Sequence, residues 1–214
     1  MSTKEFEDNR WRSRDQKIVF RHRAAADMIS SGSVLDLGCG DGFFLDLLRQ
    51  KGISGHGLDL SSDGVKKCLD KGIKAEVCDF AHEPLPFGDG AFDYVVMLDV
   101  LEHLYYPGKV LAEAVRVSKK FVVISVPNFN ALPSRIQVLM GKIPENNRPH
   151  KGHVFWFNLN NLMRLLGDAK LSVTDFKTNT FWSSRFVLGS LVKMLSKVLP
   201  SIFALSFVVK TEKK

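Results

Sequence analysis

The chain of 214 residues has few cysteines, and they form none of the patterns that build a disulfide framework or a zinc site. The three residues, Cys39, Cys68 and Cys78, include no CxxC pair, and no Cys/His cluster has zinc-ligand spacing. We therefore expect reduced thiols and no metal ion. Hydrophobic residues make up 45% and charged residues 25% of the chain, which is ordinary globular composition and excludes a mostly disordered protein.

Signals for export or membrane insertion are also lacking. The first 23 residues are charged and contain no apolar core of the kind that a signal peptide needs. The longest apolar stretch, residues 186–209, is interrupted by two lysines and a proline, which does not suit a spanning helix. We expect a cytoplasmic protein whose basic, apolar C-terminal element, residues 185–214, is either a solvated end or a contact with a membrane surface.

The net charge of +7 lies at the two ends of the chain rather than on its body. Residues 1–23 carry a net charge of +3 and residues 185–214 carry +5, whereas residues 24–184 carry −1. A nucleic-acid-binding domain usually presents its positive charge on one folded face. The distribution therefore argues against nucleic acid as the partner.

The body of the chain alternates between strand and helix patterns, without an internal repeat, and we expect one domain over residues 1–214. An opening helix is predicted over residues 10–30, within an N-terminal helical cap over 1–30. The predicted strands are residues 33–37, 55–60, 74–80, 94–98, 121–126, 171–181 and 202–209. Short apolar strands joined by helices predict a parallel sheet covered on both faces. Residues 127–153 contain four prolines and little apolar content, which predicts a lid over a substrate.

The most informative segment is VLDLGCGDG at residues 34–42, where a strand turns on three alternating glycines into a helix. In an open α/β sheet, ligands bind at this end of the strands. A dinucleotide fingerprint would have its third glycine one residue later, and a P-loop would have a lysine after the glycines. The loop therefore predicts a ligand without phosphates.

Carboxylates follow at the ends of the next two predicted strands. Asp59 lies nineteen residues after Gly40, where a carboxylate can accept the hydroxyls of a ribose. Asp79 is followed by Phe80, and an acid beside an aromatic ring suits an adenine base. Each aspartate alone also suits a helix cap or a loop. Together with Asp36 of the glycine-loop strand, they favour a nucleoside site.

This ordered set, with FDYVVMLDVLEHL after it, resembles the class I S-adenosylmethionine-dependent methyltransferases over about residues 30–130. The resemblance implies a Rossmann-like α/β fold with a seven-stranded, mostly parallel sheet, helices on both faces and an antiparallel last strand. It implies S-adenosylmethionine as the cofactor and S-adenosylhomocysteine as the product. The matching cofactor-binding positions are Asp36, Gly38, Cys39, Gly40, Asp59, Leu60, Asp79, Phe80 and Leu98.

Two parts of the chain resemble different branches of that family. Residues 121–142 are similar to methionine-biosynthesis W-like proteins, which are associated with an acyltransferase, whereas residues 98–104 look more like ubiquinone- or glycan-type enzymes. Three functions follow: methyl transfer to a small or lipid-linked acceptor, first of all at oxygen; a non-catalytic partner of a biosynthetic enzyme; and a nucleic-acid methyltransferase, which only the net charge supports.

Histidines near the predicted crevice are the candidates for catalysis. Methyl transfer mainly requires alignment of the acceptor with the methyl group, but a hydroxyl acceptor must also lose its proton. His103 follows the fourth strand and is the first candidate for that base, although its position also suits packing in a helix. His153 and His150, at the end of the lid segment, are the alternatives. The aromatic residues beyond position 150 are expected to form core and part of an apolar acceptor pocket.

Overall fold

The computed structural model describes residues 3–12, 19–180 and 187–214, and a seven-stranded sheet lies at its centre. The strands are β1 (Val34–Leu37), β2 (Gly55–Asp59), β3 (Lys74–Val77), β4 (Phe92–Leu98), β5 (Ser118–Pro127), β6 (Leu171–Thr180) and β7 (Ala204–Lys213). All seven predicted strands are present. The third ends three residues earlier than predicted, and the seventh begins two residues later because Ile202 belongs to a helical turn. Phe181, the predicted end of the sixth strand, lies outside the described residues.

The strand order is β3-β2-β1-β4-β5-β7-β6. Strands β1 to β5 are parallel to one another, and β7 runs antiparallel between β5 and β6. This arrangement confirms the predicted Rossmann-like sheet, including its antiparallel last strand. The order reverses at β1, which lies between β2 and β4, and open α/β sheets bind their ligands at the carboxyl ends of the strands beside such a reversal.

Helices pack on both faces of the sheet. They are α1 (Thr3–Arg12), α2 (Phe20–Asp27), α3 (Phe43–Arg49), α4 (Ser62–Asp70), α5 (Pro107–Val117), α6 (Leu132–Leu139), α7 (Leu159–Asp168), α8 (Val187–Val198) and α9 (Pro200–Phe203). Alternate residues of a strand point to opposite faces. Val95 of β4 therefore packs in one core with Leu111 and Leu162, from α5 and α7. Its neighbour Val96 packs in the other core with Phe44, from α3.

The N-terminal part differs from its prediction. A single helix over residues 10–30 is wrong: α1 ends at Arg12, α2 begins at Phe20, and residues 28–30 are not helical. Residues 1–2 and 13–18 of the predicted cap lie outside the described residues. Amphipathic spacing indicates that a segment is helical, but it does not show where the chain leaves one helix and starts another.

The C-terminal element also differs from one of its two interpretations. Residues 185–186 are outside the described residues, and the remainder forms α8, α9 and β7. Phe207, Val208 and Val209 of β7 are completely buried, so the end of the chain is an interior strand rather than a solvated tail. Among the described residues, no helix combines the length and the apolar character that a membrane-spanning segment requires.

The segment over residues 127–153 contains α6 and two short 3₁₀ turns, Glu145–Asn147 and Pro149–Lys151. None of the residues of α6 is buried. Leu139 at the end of the helix and Met140 directly after it face solvent instead, with 87% and 62% of their surface exposed. The helix therefore lies on the body of the protein without contributing to either core.

Candidate functional site

The glycine loop after β1 has a backbone conformation that residues with a Cβ atom rarely adopt. Gly38, Gly40 and Gly42 have φ angles of 76°, 56° and 75°. A Cβ atom on Gly38 would lie 2.6 Å from Cγ2 of Val100, so the segment after β4 packs directly against the loop. The loop thus brings the main chain to the carboxyl end of β1, beside the segment that follows β4, where a ligand can approach it closely.

Asp59 at the end of β2 is tied to this loop. Its side chain is buried, and the Gly40 N–H donates to Oδ2 at 2.7 Å while the Ser61 N–H donates to Oδ1 at 2.8 Å. The carboxylate therefore holds the glycine loop and the start of α4 together. Ser61 also caps α4 by accepting the Gly64 N–H at 3.1 Å.

Asp36 lies inside β1 and is nearly inaccessible to solvent. Burial, and after it the charge of Asp59, hold the pKa of the Asp36 carboxyl well above its usual range. A positive charge brought into this crevice would favour the ionised carboxylate. The buried pair Asp36 and Asp59 therefore gives the crevice an acidic character.

The other predicted cofactor positions differ in how they face the crevice. Cys39 turns its side chain into the core beside Cys68, with 4.0 Å between the two sulfur atoms, so only its backbone faces the loop side. A hydrogen bond with Cys68, together with burial, raises the pKa of the Cys39 thiol. Leu60 follows β2 and is half-buried. Leu98 ends β4 and packs against the core that contains α2 and α3.

Asp79 and Phe80 follow β3, two residues after the strand ends. The Asp79 carboxylate is 37% exposed and lies 3.0 Å from Nδ1 of His82, whereas Phe80 packs partly against the larger core. The Cys78 N–H donates to the Asp59 carbonyl at 2.9 Å, which keeps this segment beside the end of β2. The structure therefore brings Asp36, Asp59 and the loop glycines together and places Asp79 and Phe80 at the adjacent strand end.

Helix α1 covers the glycine loop, which the sequence did not predict. The Trp11 ring is buried and lies so close to Gly40 that a Cβ atom there would be 2.2 Å from it. The Asp8 carboxylate accepts the Ser61 hydroxyl at 2.6 Å, and this hydrogen bond lowers the pKa of Asp8. Lys67 of α4 donates to the Trp11 carbonyl. The first helix is thus fixed over the crevice at several points.

We expect Trp11→Ala to bind S-adenosylhomocysteine about threefold to tenfold more tightly than the natural chain. The ring occupies the space over Gly40, so a ligand that enters must first displace it, and truncation removes that competition. Isothermal titration measures the dissociation constant, and Trp156→Ala, which removes a half-exposed tryptophan, is the matched control. Weaker binding by Trp11→Ala would instead mean that the ring contacts the ligand.

Two histidines and a glutamate meet beside the loop. His103 and Glu102 belong to the 3₁₀ turn Leu101–His103 after β4, and their ring and carboxylate lie near His153 from the end of the lid segment. The His103 and His153 ring centroids are 4.9 Å apart. His153 Nε2 lies 3.9 Å from Oε1 of Glu102, whose side chain is 1% exposed. Both predicted catalytic histidines are therefore together, whereas the alternative, His150, lies 60% exposed beside Glu145.

The hydrogen bond of His103 indicates which of its ring nitrogens carries the proton. Nδ1 lies 3.1 Å from the Gly152 carbonyl oxygen, which only accepts, so Nδ1 carries the proton. Nε2 then carries the lone pair and can accept a proton or bind a metal ion. From the sequence, Glu102 was only a neighbour of His103 that either influences this histidine or faces solvent, and its place beside His153 could not be predicted because only folding brings the two together.

Asp99 at the end of β4 is a further residue that sequence reasoning missed. It has a φ angle of 58°, which is uncommon for a residue other than glycine. Its carboxylate accepts the Ser125 hydroxyl at 2.5 Å and pairs with Arg21 of α2 at 3.1 Å. These contacts fix the turn that carries Val100 towards the glycine loop.

Two cavities in the described part of the structure bear on the location of the site. The larger one, about 370 Å³, is at the amino ends of the strands and includes Val34, Gly55 and Lys74. Ligands of open α/β sheets bind at the carboxyl ends, so this cavity is not the candidate site. A smaller recess lies beside His153 and is lined by Pro127, Phe129, Phe155, Trp156 and Phe157.

Comparison with known proteins agrees with this geometry. A family model described as methionine biosynthesis protein MetW matches residues 20–179. The chain belongs to the MetW family. This membership confirms the predicted class I methyltransferase family, and it favours the W-like proteins among the two branches that the sequence left open.

Curated relatives of this MetW-family chain include methyltransferases that act on different atoms. It is 31% identical over 114 residues to norajmaline N-methyltransferase of Rauvolfia serpentina, covering 48% of this chain and 38% of the relative. It is 29% identical over 96 residues to the ubiquinone biosynthesis O-methyltransferase of Methylococcus capsulatus, and this match covers 42% of this chain and 40% of the relative. The chain thus spans about two fifths of the length of these relatives.

Solved structures share the fold over nearly the whole chain. Magnesium protoporphyrin IX methyltransferase from Synechocystis PCC 6803, with bound S-adenosylhomocysteine, has a TM-score of 0.67 at 16% identity and covers 99% of this chain and 98% of its own. A methyltransferase from Archaeoglobus fulgidus has a TM-score of 0.63 at 20% identity, and the match covers 99% of this chain and 95% of that structure's chain. The relatives and structures agree with S-adenosylmethionine as the cofactor that the motifs predict.

Proposed function

We propose that this MetW-family chain transfers the methyl group of S-adenosylmethionine to an oxygen of a small or lipid-linked, largely apolar acceptor. One observation carries the proposal: the glycine loop, bound to Asp59, and the pair of His103 and His153 lie on the two sides of Val100, which packs on Gly38. A site for a nucleoside and a group that accepts a proton are therefore neighbours at the same end of the sheet.

The loop side binds the cofactor in this proposal. The backbone of Gly38 and Gly40 contacts the methionine part, Asp36 attracts its positive charge, and Asp59 accepts the ribose hydroxyls. Asp79 and Phe80 receive the adenine, while Leu60 and Leu98 contribute apolar contacts. Cys39 takes part through its backbone, because its side chain points into the core.

The histidine side removes the proton of the acceptor. A lone pair of the acceptor oxygen attacks the methyl carbon, and a new O–C bond forms as the C–S bond breaks. The electron pair of the broken bond stays on sulfur and yields the neutral thioether of S-adenosylhomocysteine. The proton of the acceptor hydroxyl moves to Nε2 of His103, whose Nδ1 proton is held by the Gly152 carbonyl. His153 stacks edge-on against that ring and orients it.

The surface beside the histidines supports an apolar acceptor. The recess next to His153 is lined mainly by aromatic rings, and α6 exposes Leu139 and Met140 above the same segment. A single large apolar side chain on a surface is ordinary, but a run of them on a helix with no buried residue indicates a contact. Contact of residues 185–214 with a membrane surface remains a prediction that a lipid-linked acceptor would favour.

Incubation of the purified chain with S-adenosylmethionine labelled in its methyl group tests the function. A lipid extract and a panel of hydroxylated small molecules serve as acceptors, and mass spectrometry identifies the labelled product. Formation of S-adenosylhomocysteine in step with a labelled ether or ester supports the proposal. Cofactor binding without any turnover across extract and panel would contradict it.

A second function, that of a non-catalytic partner of a biosynthetic enzyme, is favoured by the description of the matching family as a methionine biosynthesis protein. Copurification with an acyltransferase, together with normal binding and no turnover, would support this alternative. Turnover that does not depend on a partner would exclude it.

We expect the lid segment to exchange its amide hydrogens quickly until a ligand orders it. Helix α6 has no buried residue, so local opening costs little, whereas α5 has five buried residues and serves as the internal control. Hydrogen–deuterium exchange of the peptide over residues 132–143 should slow when S-adenosylhomocysteine and a long-chain alkylphenol are added together. Equal exchange in α5 and α6, or no change with both ligands, would contradict a lid.

A further inference from the structure

We propose that Glu102, His103 and His153 bind a divalent transition-metal cation such as Zn²⁺. One ligand atom from each of the three side chains lies within 4.8 Å of the others. Two imidazoles and one carboxylate form a common set of three ligands for zinc or for non-haem iron, and they leave positions open for water or a substrate. The cysteine pattern predicted no metal site, and this one uses no cysteine.

The backbone holds these three side chains in place. The Glu102 carbonyl accepts the N–H groups of Val154 at 2.9 Å and Phe155 at 3.0 Å, which fixes the segment that carries His153 against the turn after β4. The His103 N–H donates to the Val100 carbonyl at 3.0 Å. Ligands bound to one cation at about 2.1 Å lie roughly 3–3.5 Å apart, so small side-chain rotations would close the set around it.

The second interaction of His103 is the kind that accompanies a metal ligand. Metal-binding histidines usually donate their other ring N–H to a carbonyl or carboxylate, which fixes the tautomer and orients the ring. His103 does this with Nδ1 and the Gly152 carbonyl at 3.1 Å, so Nε2 presents its lone pair. The Glu102 side chain, which supplies the carboxylate of the set, is 1% exposed, and its Oε1 lies 3.9 Å from Nε2 of His153.

The nature of the ligands selects the class of cation. Imidazole nitrogen suits zinc, copper, iron or nickel, whereas magnesium, calcium and manganese prefer oxygen ligands. A hydroxyl group of the acceptor that enters an open position would lose its proton more easily, because a bound cation lowers its pKa. This last step rests on the proposed methyl transfer, but the binding of the cation does not.

Titration of chelator-treated, full-length protein with ZnCl₂ tests the site in the absence of cofactor and acceptor. We expect one Zn²⁺ per chain and a raised melting temperature, and no such effect of MgCl₂. Glu102→Gln and His153→Ala should each weaken the binding of Zn²⁺ by at least tenfold to 100-fold. Because the titration contains no substrate, its result is independent of whether the chain transfers methyl groups.

Two controls separate this site from others that bind zinc. His82→Ala removes a histidine that lies 3.0 Å from Asp79 at the surface, and Cys68→Ser removes a thiol from the pair with Cys39; both should leave the dissociation constant unchanged. If Glu102→Gln does not fold, His153→Ala alone decides the outcome. Absence of Zn²⁺ binding by the natural chain, or binding lost in Cys68→Ser and kept in His153→Ala, would overturn the proposal.

Discussion

Asp59→Ala is expected to raise the dissociation constant of S-adenosylhomocysteine about 10-fold to 150-fold. In the proposed complex the Asp59 carboxylate accepts the ribose hydroxyls, and loss of a charge-assisted hydrogen bond costs about 1.5–3 kcal/mol. The same carboxylate also accepts the N–H groups of Gly40 and Ser61, so the variant should melt at a lower temperature as well. Isothermal titration, at a temperature where unfolding curves show a folded variant, measures the affinity.

Asp46→Ala is the matched control for this prediction. Asp46 lies on α3, close to the loop in sequence, but its carboxylate pairs with Arg49 rather than with the glycine loop. The control should bind S-adenosylhomocysteine as the natural chain does. Unchanged affinity in Asp59→Ala would remove Asp59 from the cofactor site, and an equal loss in both variants would point to a general disturbance of the fold.

His103→Ala is expected to lower kcat by about 10²-fold to 10⁴-fold while the dissociation constant of the cofactor stays nearly unchanged. The reason is that the Nε2 lone pair, whether it takes the proton directly or binds a cation, acts on the acceptor and not on the nucleoside. The measurement combines single-turnover formation of S-adenosylhomocysteine with a binding titration. A merely structural histidine would not lower kcat while leaving the dissociation constant of the cofactor unchanged.

The control for His103 is His82→Ala, because His82 also neighbours a carboxylate but is 81% exposed after β3. It should retain its full turnover. Parallel loss of cofactor binding and of thermal stability in His103→Ala would show a structural role in holding Gly152. Full activity in that variant would exclude His103 from the reaction and leave His153 as the candidate.

Local patterns in the sequence were sufficient for the centre of the sheet and for the glycine loop. The run from Val34 to Gly42 contains a buried strand, the glycines of the turn and the start of the next helix, so neighbouring residues alone define its structure. Asp59 likewise ends a short strand, Gly55–Asp59, that the sequence predicted. These predictions required no knowledge of distant contacts.

Contacts between distant segments could not be predicted in this way. Trp11 lies on Gly40, and His153 lies beside Glu102, which is 51 residues earlier in the chain. Neither pairing leaves a periodicity in the sequence, because each partner sits on an element whose position depends on the whole sheet. The antiparallel placement of β7 was likewise anticipated from a family resemblance and not from the spacing of residues.

The position of β7 has a consequence for how the sheet assembles. Residues 204–213 follow every other described strand along the chain, yet they occupy an interior place, and β6 joins the sheet through them alone among the described strands. Until these residues pair with β5, the edge of β5 that faces away from β4 has unpaired N–H and C=O groups, which can form hydrogen bonds with a strand of another chain. The sheet is therefore complete only when β7 has taken its place, and chains truncated before Ala204 should aggregate.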